Sequence, residues 1–137
     1  MKLIIDTGSS WTWLMGEDCP SFECNGNEYN AHLSKTFKPT KKEHEITYGK
    51  GYVYGAVASD DVSFIREPTK YEIVTDQDFL LVSKAKDLEA LRADGLIGLA
   101  PNSPSDHPYN TLVQTMFEQK LISKNVFSVY LGHVGHE

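Results

Sequence analysis

The feature that most restricts how this chain can fold is the stretch from Glu43 to Ile65. There Ile46 and Tyr48 lead into Gly49-Lys50-Gly51, and Tyr52, Val53, Tyr54, Gly55 and Val57 lead away again. β-branched and aromatic residues favour pleated backbone, and glycines on either side of one residue permit a tight reversal, so this stretch reads as a hairpin. A hairpin needs a sheet to join, and further β signals are spread along the chain. Residues 2–5 form an apolar strand broken at Asp6-Thr7-Gly8-Ser9, residues 11–15 a second extended piece, and residues 71–74 and 79–82 two short strand candidates. Residues 127–131 read as a closing strand. Asp94-Gly95-Leu96-Ile97-Gly98-Leu99-Ala100 is a buried apolar run whose glycines imply close backbone packing. Helical signal is sparse: one or two turns over residues 86–92, and one apolar stripe of Leu112, Val113, Met116 and Phe117 within residues 109–121. The fold class is mainly β with one main helix.

At 137 residues the chain is one domain, 1–137, with a single core. Its net charge of -6 repels phosphate backbones, and Lys41-Lys42 and Lys84 with Lys86 are short, interrupted clusters, so nucleic acid is not an expected partner. No apolar run is long enough to cross a bilayer. Met1-Lys2-Leu3-Ile4-Ile5 holds too few apolar residues before Asp6 for the core of an export signal. Cys19 and Cys24 lie in a loop-like segment rich in Pro, Ser, Asn and Gly. They suit a small local disulfide or half of a zinc site, and the second reading lacks a Cys/His pair at finger spacing. His133 and His136 have a superficial metal spacing in a glycine-containing tail and read as solvated side chains. No metal and no cofactor is expected.

Asp6-Thr7-Gly8 on a tight loop between apolar strands can present a carboxylate: the turn exposes it and neighbouring hydroxyls can orient its oxygens. The tripeptide alone is equally an ordinary turn. The ordered set around it is more informative: Ile5-Asp6-Thr7-Gly8-Ser9-Ser10 with Trp13, Cys19-Pro-Ser-Phe-Glu-Cys24, Ser34-Lys35-Thr36-Phe37, and Ile46-Thr47-Tyr48-Gly49-Lys50-Gly51 with Gly55, Asp60 and Val62. Residues 94–100 and Phe127-Ser128-Val129-Tyr130-Leu131 complete it. Along nearly its whole length the chain resembles the N-terminal lobe of the pepsin-like aspartic endopeptidases.

The resemblance implies one half of a bilobal β fold with a flap hairpin, and hydrolysis of peptide bonds by a water activated between two aspartates. Asp6 would be one of them, acting as general base while its protonated partner polarises the scissile carbonyl. Thr7 would lock the loop against the facing lobe, Gly8 would offer its carbonyl to substrate backbone, and Ser9 would hydrogen-bond Asp6. Tyr48 on the flap would pair with the Trp13 indole, and Gly49, Lys50, Gly51 and Leu96 would belong to the flap and substrate-binding set. Cys19 and Cys24 would close the short disulfide loop.

Asp94 reads as a turn residue, because Asp94-Gly95 lacks the intervening Thr or Ser of a second catalytic loop, and no other Asp-Thr/Ser-Gly occurs in these residues. The resemblance therefore implies a chain cut at both ends, with the C-terminal lobe absent and the isolated lobe inactive. Its partners would be polypeptide substrates and the missing lobe, or a second copy of the chain. The full-length form would reside outside the cell or in a lysosomal or vacuolar lumen. A catalytically inactive single-lobe peptide-binding module and a homodimeric retroviral-type protease are the alternatives.

Overall fold

The computed structural model describes residues 1–49, 51–88, 91–102 and 109–132. Among these residues six strands form one mixed sheet: β1 (Leu3–Asp6), β2 (Trp13–Met15), β3 (Lys38–Tyr48), β4 (Gly51–Val62), β5 (Val74–Lys86) and β6 (Gly95–Gly98). Their spatial order is β1-β6-β2-β5-β4-β3. Strands β3, β4 and β5 make an antiparallel meander. Strand β1 runs parallel to β6, and β2 sits between β6 and β5, antiparallel to the first and parallel to the second.

Burial follows strand alternation. Val53 and Val57 of β4 and Leu80 and Val82 of β5 point into one cluster with Trp11, Trp13, Met15 and both cysteines. A smaller cluster of Val74, Ile97 and Leu112 joins the sheet to the helix α1 (Leu112–Glu118). Register slips between Tyr54 and Gly55, where a Cβ on Gly55 would fall 1.9 Å from the Leu81 carbonyl oxygen. Only glycine lets the two strands approach there.

Four expectations are corrected. Of the two short strands expected at 71–74 and 79–82, residues 71–73 are not strand, and the second is part of one long β5 that begins at Val74, because the polar stretch from Thr75 to Asp78 is sheet: Gln77 is 1% exposed and donates its amide to the Asp78 and Asn110 carbonyls. The same strand runs to Lys86, which leaves of the helical turns at 86–92 a single Leu91 N to Leu88 O bond, with residues 89 and 90 outside the described set. The main helix is shorter than 109–121. Thr111 caps it by accepting from Gln114 N, and Lys120, at φ 60°, ends it. Finally, residues 127–131 form no strand, and Tyr130 and Leu131 stand 92% and 89% exposed. Among the described residues their β-favouring composition finds no neighbouring strand to pair with, and a strand exists only through its pairing.

Candidate active site

Strand β1 delivers Asp6 to the site. Its last residue pairs with Gly98 of β6, and the turn beyond is held from below by Leu99 N to Asp6 O at 2.7 Å and Ala100 N to Ser9 O at 2.9 Å. A Cβ on Gly98 would meet the Ser10 and Trp11 backbone at 2.5 Å, so the apolar glycine-broken run of β6 is what allows the loop to sit directly on the sheet. The half-buried Asp6 carboxylate accepts from Gly8 N at 2.9 Å through Oδ1 and from the Ser9 hydroxyl at 2.5 Å through Oδ2. These two donors leave the carboxylate oriented at the tip of an exposed turn, with Thr7 and Gly8 exposed beside it.

The β3–β4 hairpin brings the second part. Tyr48 ends β3, Gly49 turns at φ 51°, and Gly51 opens β4, packed so closely that a Cβ would lie 2.5 Å from the Lys86 carbonyl oxygen. Lys50 lies outside the described residues. The Tyr48 hydroxyl accepts from the Trp13 indole N–H at 3.0 Å, tying the hairpin to β2. Burial pushes the Tyr48 phenol above its ordinary value, hydrogen bonding to Trp13 and Ser9 offsets part of this, and the Asp6 charge adds to the rise. The phenol therefore stays protonated, and it lies within electrostatic reach of Asp6.

Trp13 is 1% exposed, and its indole N–H has the Tyr48 hydroxyl as acceptor. Tyr48→Phe is expected to cost about 1–2 kcal/mol, for a buried donor left without its acceptor. Urea unfolding of the variant checks this, and an unchanged midpoint would mean that the bond contributes nothing.

Leu96, grouped with the substrate-facing residues by the resemblance, is buried on β6 in the cluster that holds Trp11 and Trp13. Cys19 and Cys24 form a disulfide and are buried in the same cluster. Asp94 is a structural residue: its carboxylate accepts from the Lys2 amide and from both the amide and side chain of Asn27. Burial raises its pKa, and those donors outweigh the rise and hold it below the usual carboxylate range. His133 and His136 lie outside the described residues. Among the described residues no group of three or more His, Cys, Asp or Glu is placed to hold a metal ion, and no helix is long and apolar enough to cross a membrane.

Two side-chain groupings have no counterpart in the candidate set read from sequence. Asp60 gathers the hydroxyls of Tyr29, Ser34 and Thr36, which lie 24 to 31 residues before it in the chain. His44 stacks on Trp11 with ring centroids 4.5 Å apart, beside the Asp6 loop. For the first, a buried Asp and two hydroxyls in Ser34-Lys35-Thr36 were the available signal. For the second, no local pattern links the two rings. A cavity of about 610 Å³ lined by Leu99, Thr111 and Phe127 among others does not include Asp6 in its lining.

A turn-borne carboxylate oriented by a hydroxyl and an amide, near a hairpin whose tyrosine is fastened to a buried tryptophan, on a mostly stranded mixed sheet with one helix, is consistent with an aspartic-peptidase lobe. The family model for eukaryotic aspartyl protease matches residues 1–137, and the chain belongs to that family. It is 37% identical over 133 residues to the probable aspartic-type endopeptidase CTSD of Arthroderma benhamiae, covering 96% of this chain and 25% of that protein. It is 33% identical over 139 residues to vacuolar protease A of Aspergillus fumigatus, covering 99% and 34%. With pepsin A of Sus scrofa it shares 34% identity over 135 residues, covering 95% and 33%. The chain thus spans a quarter to a third of the length of the curated relatives it matches.

Proposed function

We propose that this chain supplies the first aspartate, Asp6, of an aspartic endopeptidase acting on polypeptides in an acidic lumen or outside the cell. The observation that carries the reading is the Asp6 carboxylate, held by Gly8 N and Ser9 Oγ at the tip of its turn and facing the hairpin that carries Tyr48. A second carboxylate close by shares one proton with it, since two such groups cannot both ionise cheaply. The ionised member takes a proton from water as that water attacks the peptide carbonyl. The protonated member donates to the carbonyl oxygen, and no covalent enzyme intermediate forms. In this reading Thr7 and Gly8, both exposed at the loop tip, meet the facing lobe and the substrate backbone respectively. The hairpin covers the cleft and excludes water once a peptide lies beneath it.

The second carboxylate comes from outside these 137 residues. Exposed apolar side chains on β1 (Ile4, Ile5) and at Val129, Tyr130 and Leu131 support a surface that another lobe or another copy covers. The Cys19–Cys24 disulfide and the name of the vacuolar relatives support the lumenal placement.

The protein carrying this chain should cleave an unfolded protein about tenfold or more faster at pH 4 than at pH 7, because one member of the pair must hold a proton. A rate flat across that range would sink the reading. The 137 residues alone should sediment without measurable activity. An active dimer abolished by Asp6→Asn would instead assign the second carboxylate to a second copy, and an active monomer would overturn the two-aspartate mechanism.

A further inference from the structure

Strand β5 outruns its neighbour on one side. It pairs with β2 only from Leu80 to Val82, and the chain at Gly16 takes one more bond, Gly16 N to Val82 O at 2.9 Å, before turning away. Beyond that point β5 continues to Lys86 while β4 alone accompanies it, so backbone groups on the β2 side lose their ladder partners. Ala85 is one of them, and it is buried in the main core cluster. A buried N–H without an acceptor is costly. The acceptor it has is the Glu23 carboxylate, whose Oε2 lies 3.0 Å from Ala85 N across 62 residues of sequence.

Glu23 can reach because the disulfide loop folds back on itself. Cys19 N bonds Gly16 O, and both Glu23 N and Cys24 N bond the Pro20 carbonyl at 2.8 Å, while the Cys19–Cys24 bond closes the turn. On the other side of β5, Ala85 faces Val53 and Lys86 faces Tyr52, and the Lys86 carbonyl is the atom against which Gly51 is packed. Only Gly49 and Lys50 separate Gly51 from Tyr48.

From this chain of contacts we infer that Glu23 is a positioning residue for the hairpin: hung from the disulfide loop, it replaces a missing strand at Ala85 and thereby fixes the root from which Tyr48 is held over Asp6. This rests on the reading of Asp6 and the hairpin as half of a peptidase cleft, and deepens it. Glu23 touches neither substrate nor the reacting atoms. Loss of its bond frees the root of the hairpin, so that more of the substrate's binding free energy goes into ordering it, while the bound complex reacts as before.

The test compares Glu23→Ala, Glu23→Gln and Glu23→Asp in the protein that carries this chain, by peptide hydrolysis and by hydrogen exchange. Alanine should raise KM about five- to tenfold and leave kcat within about twofold, the pattern of lost uniform binding. Exchange should quicken at residues 51–54 and 84–86 and remain at the parental rate at 56–58 and 79–82. Glutamine keeps an acceptor oxygen at the same reach and should restore both readouts. Aspartate keeps the charge but falls one methylene short, and should behave like alanine. If alanine fails to fold, the glutamine and aspartate pair decides alone. Rescue by aspartate and not by glutamine would overturn the proposal in favour of a charge effect. Equal losses in kcat and kcat/KM, exchange quickened over the whole sheet, or no change in either readout would overturn it too. Should the parent protein hydrolyse no peptide, the peptidase reading fails by itself, and the exchange pattern still decides whether Glu23 holds the hairpin.

Discussion

Asp6→Asn is expected to lower peptide hydrolysis by about 10²- to 10⁴-fold, the range over which a positioned acid or base contributes. The substitution isolates chemistry from shape. Asparagine retains a carbonyl oxygen that can accept from Gly8 N or Ser9 Oγ, so the turn, the β1–β6 register and the seat on Gly98 should persist. What it loses is an ionisable oxygen: it can neither take a proton from water nor share one with a partner carboxylate. The effect should therefore fall on kcat, with KM little altered, and should be present at every pH between 3 and 7. Turnover of an unfolded protein by parent and variant, with thermal melting to show equal folding, measures it. A variant retaining a tenth or more of parental turnover would remove Asp6 from the mechanism.

How much of this was legible in sequence differs between the site and its frame. The glycine-flanked reversal after Tyr48 was readable from residue type, whereas the Tyr48–Trp13 hydrogen bond was expected only from the family resemblance, and the structure contains it. The frame was harder to read. Strand β5 hides because Thr75-Asp76-Gln77-Asp78 reads as loop, yet Gln77 is satisfied inside by carbonyls of Asp78 and Asn110, the second 33 residues away. Such burial depends on a partner that no local window contains. Residues 127–131 fail in the opposite sense, having strand composition without a strand beside them. The helix start was readable in principle, since Thr111 followed by Gln114 is a capping pattern and the apolar stripe begins at Leu112, but the expected start at residue 109 lies three residues too early. Glu23 was invisible for the same reason as Gln77: its role is defined by an amide 62 residues away.

Asp60→Asn is expected to destabilise the fold by about 3 kcal/mol at pH 7, the largest stability effect of any single polar change considered. The Asp60 side chain on β4 is 6% exposed and accepts four hydrogen bonds: from the Tyr29 phenol at Oδ2, and from Ser34 Oγ at 3.0 Å, Thr36 Oγ1 at 2.5 Å and Asp61 N at 2.7 Å at Oδ1. An asparagine there turns one acceptor into a donor facing hydroxyls that are themselves donating. Burial alone raises the Asp60 pKa, but these donors outweigh it and bring the carboxyl below its ordinary 3.8. A depressed folded pKa stabilises above the unfolded value and is lost as pH falls through the folded one. The contribution should be complete above pH 3.8 and decline only in more acid solution, where the gap between parent and Asp60→Asn narrows. Tyr29, whose phenol is raised by burial and then by Asp60 itself, remains a donor throughout. Urea unfolding of both proteins from pH 7 to pH 2 tests this, and a gap under about 1 kcal/mol, or one constant across the series, would refute it. Tyr29 bonds Met15 O at the end of β2, the strand that seats Trp13 under Tyr48. On the proposed reading, acid is needed to protonate one aspartate of a pair while Asp60 stays ionised in the same acid, and the hydroxyls gathered on Asp60 separate those two requirements.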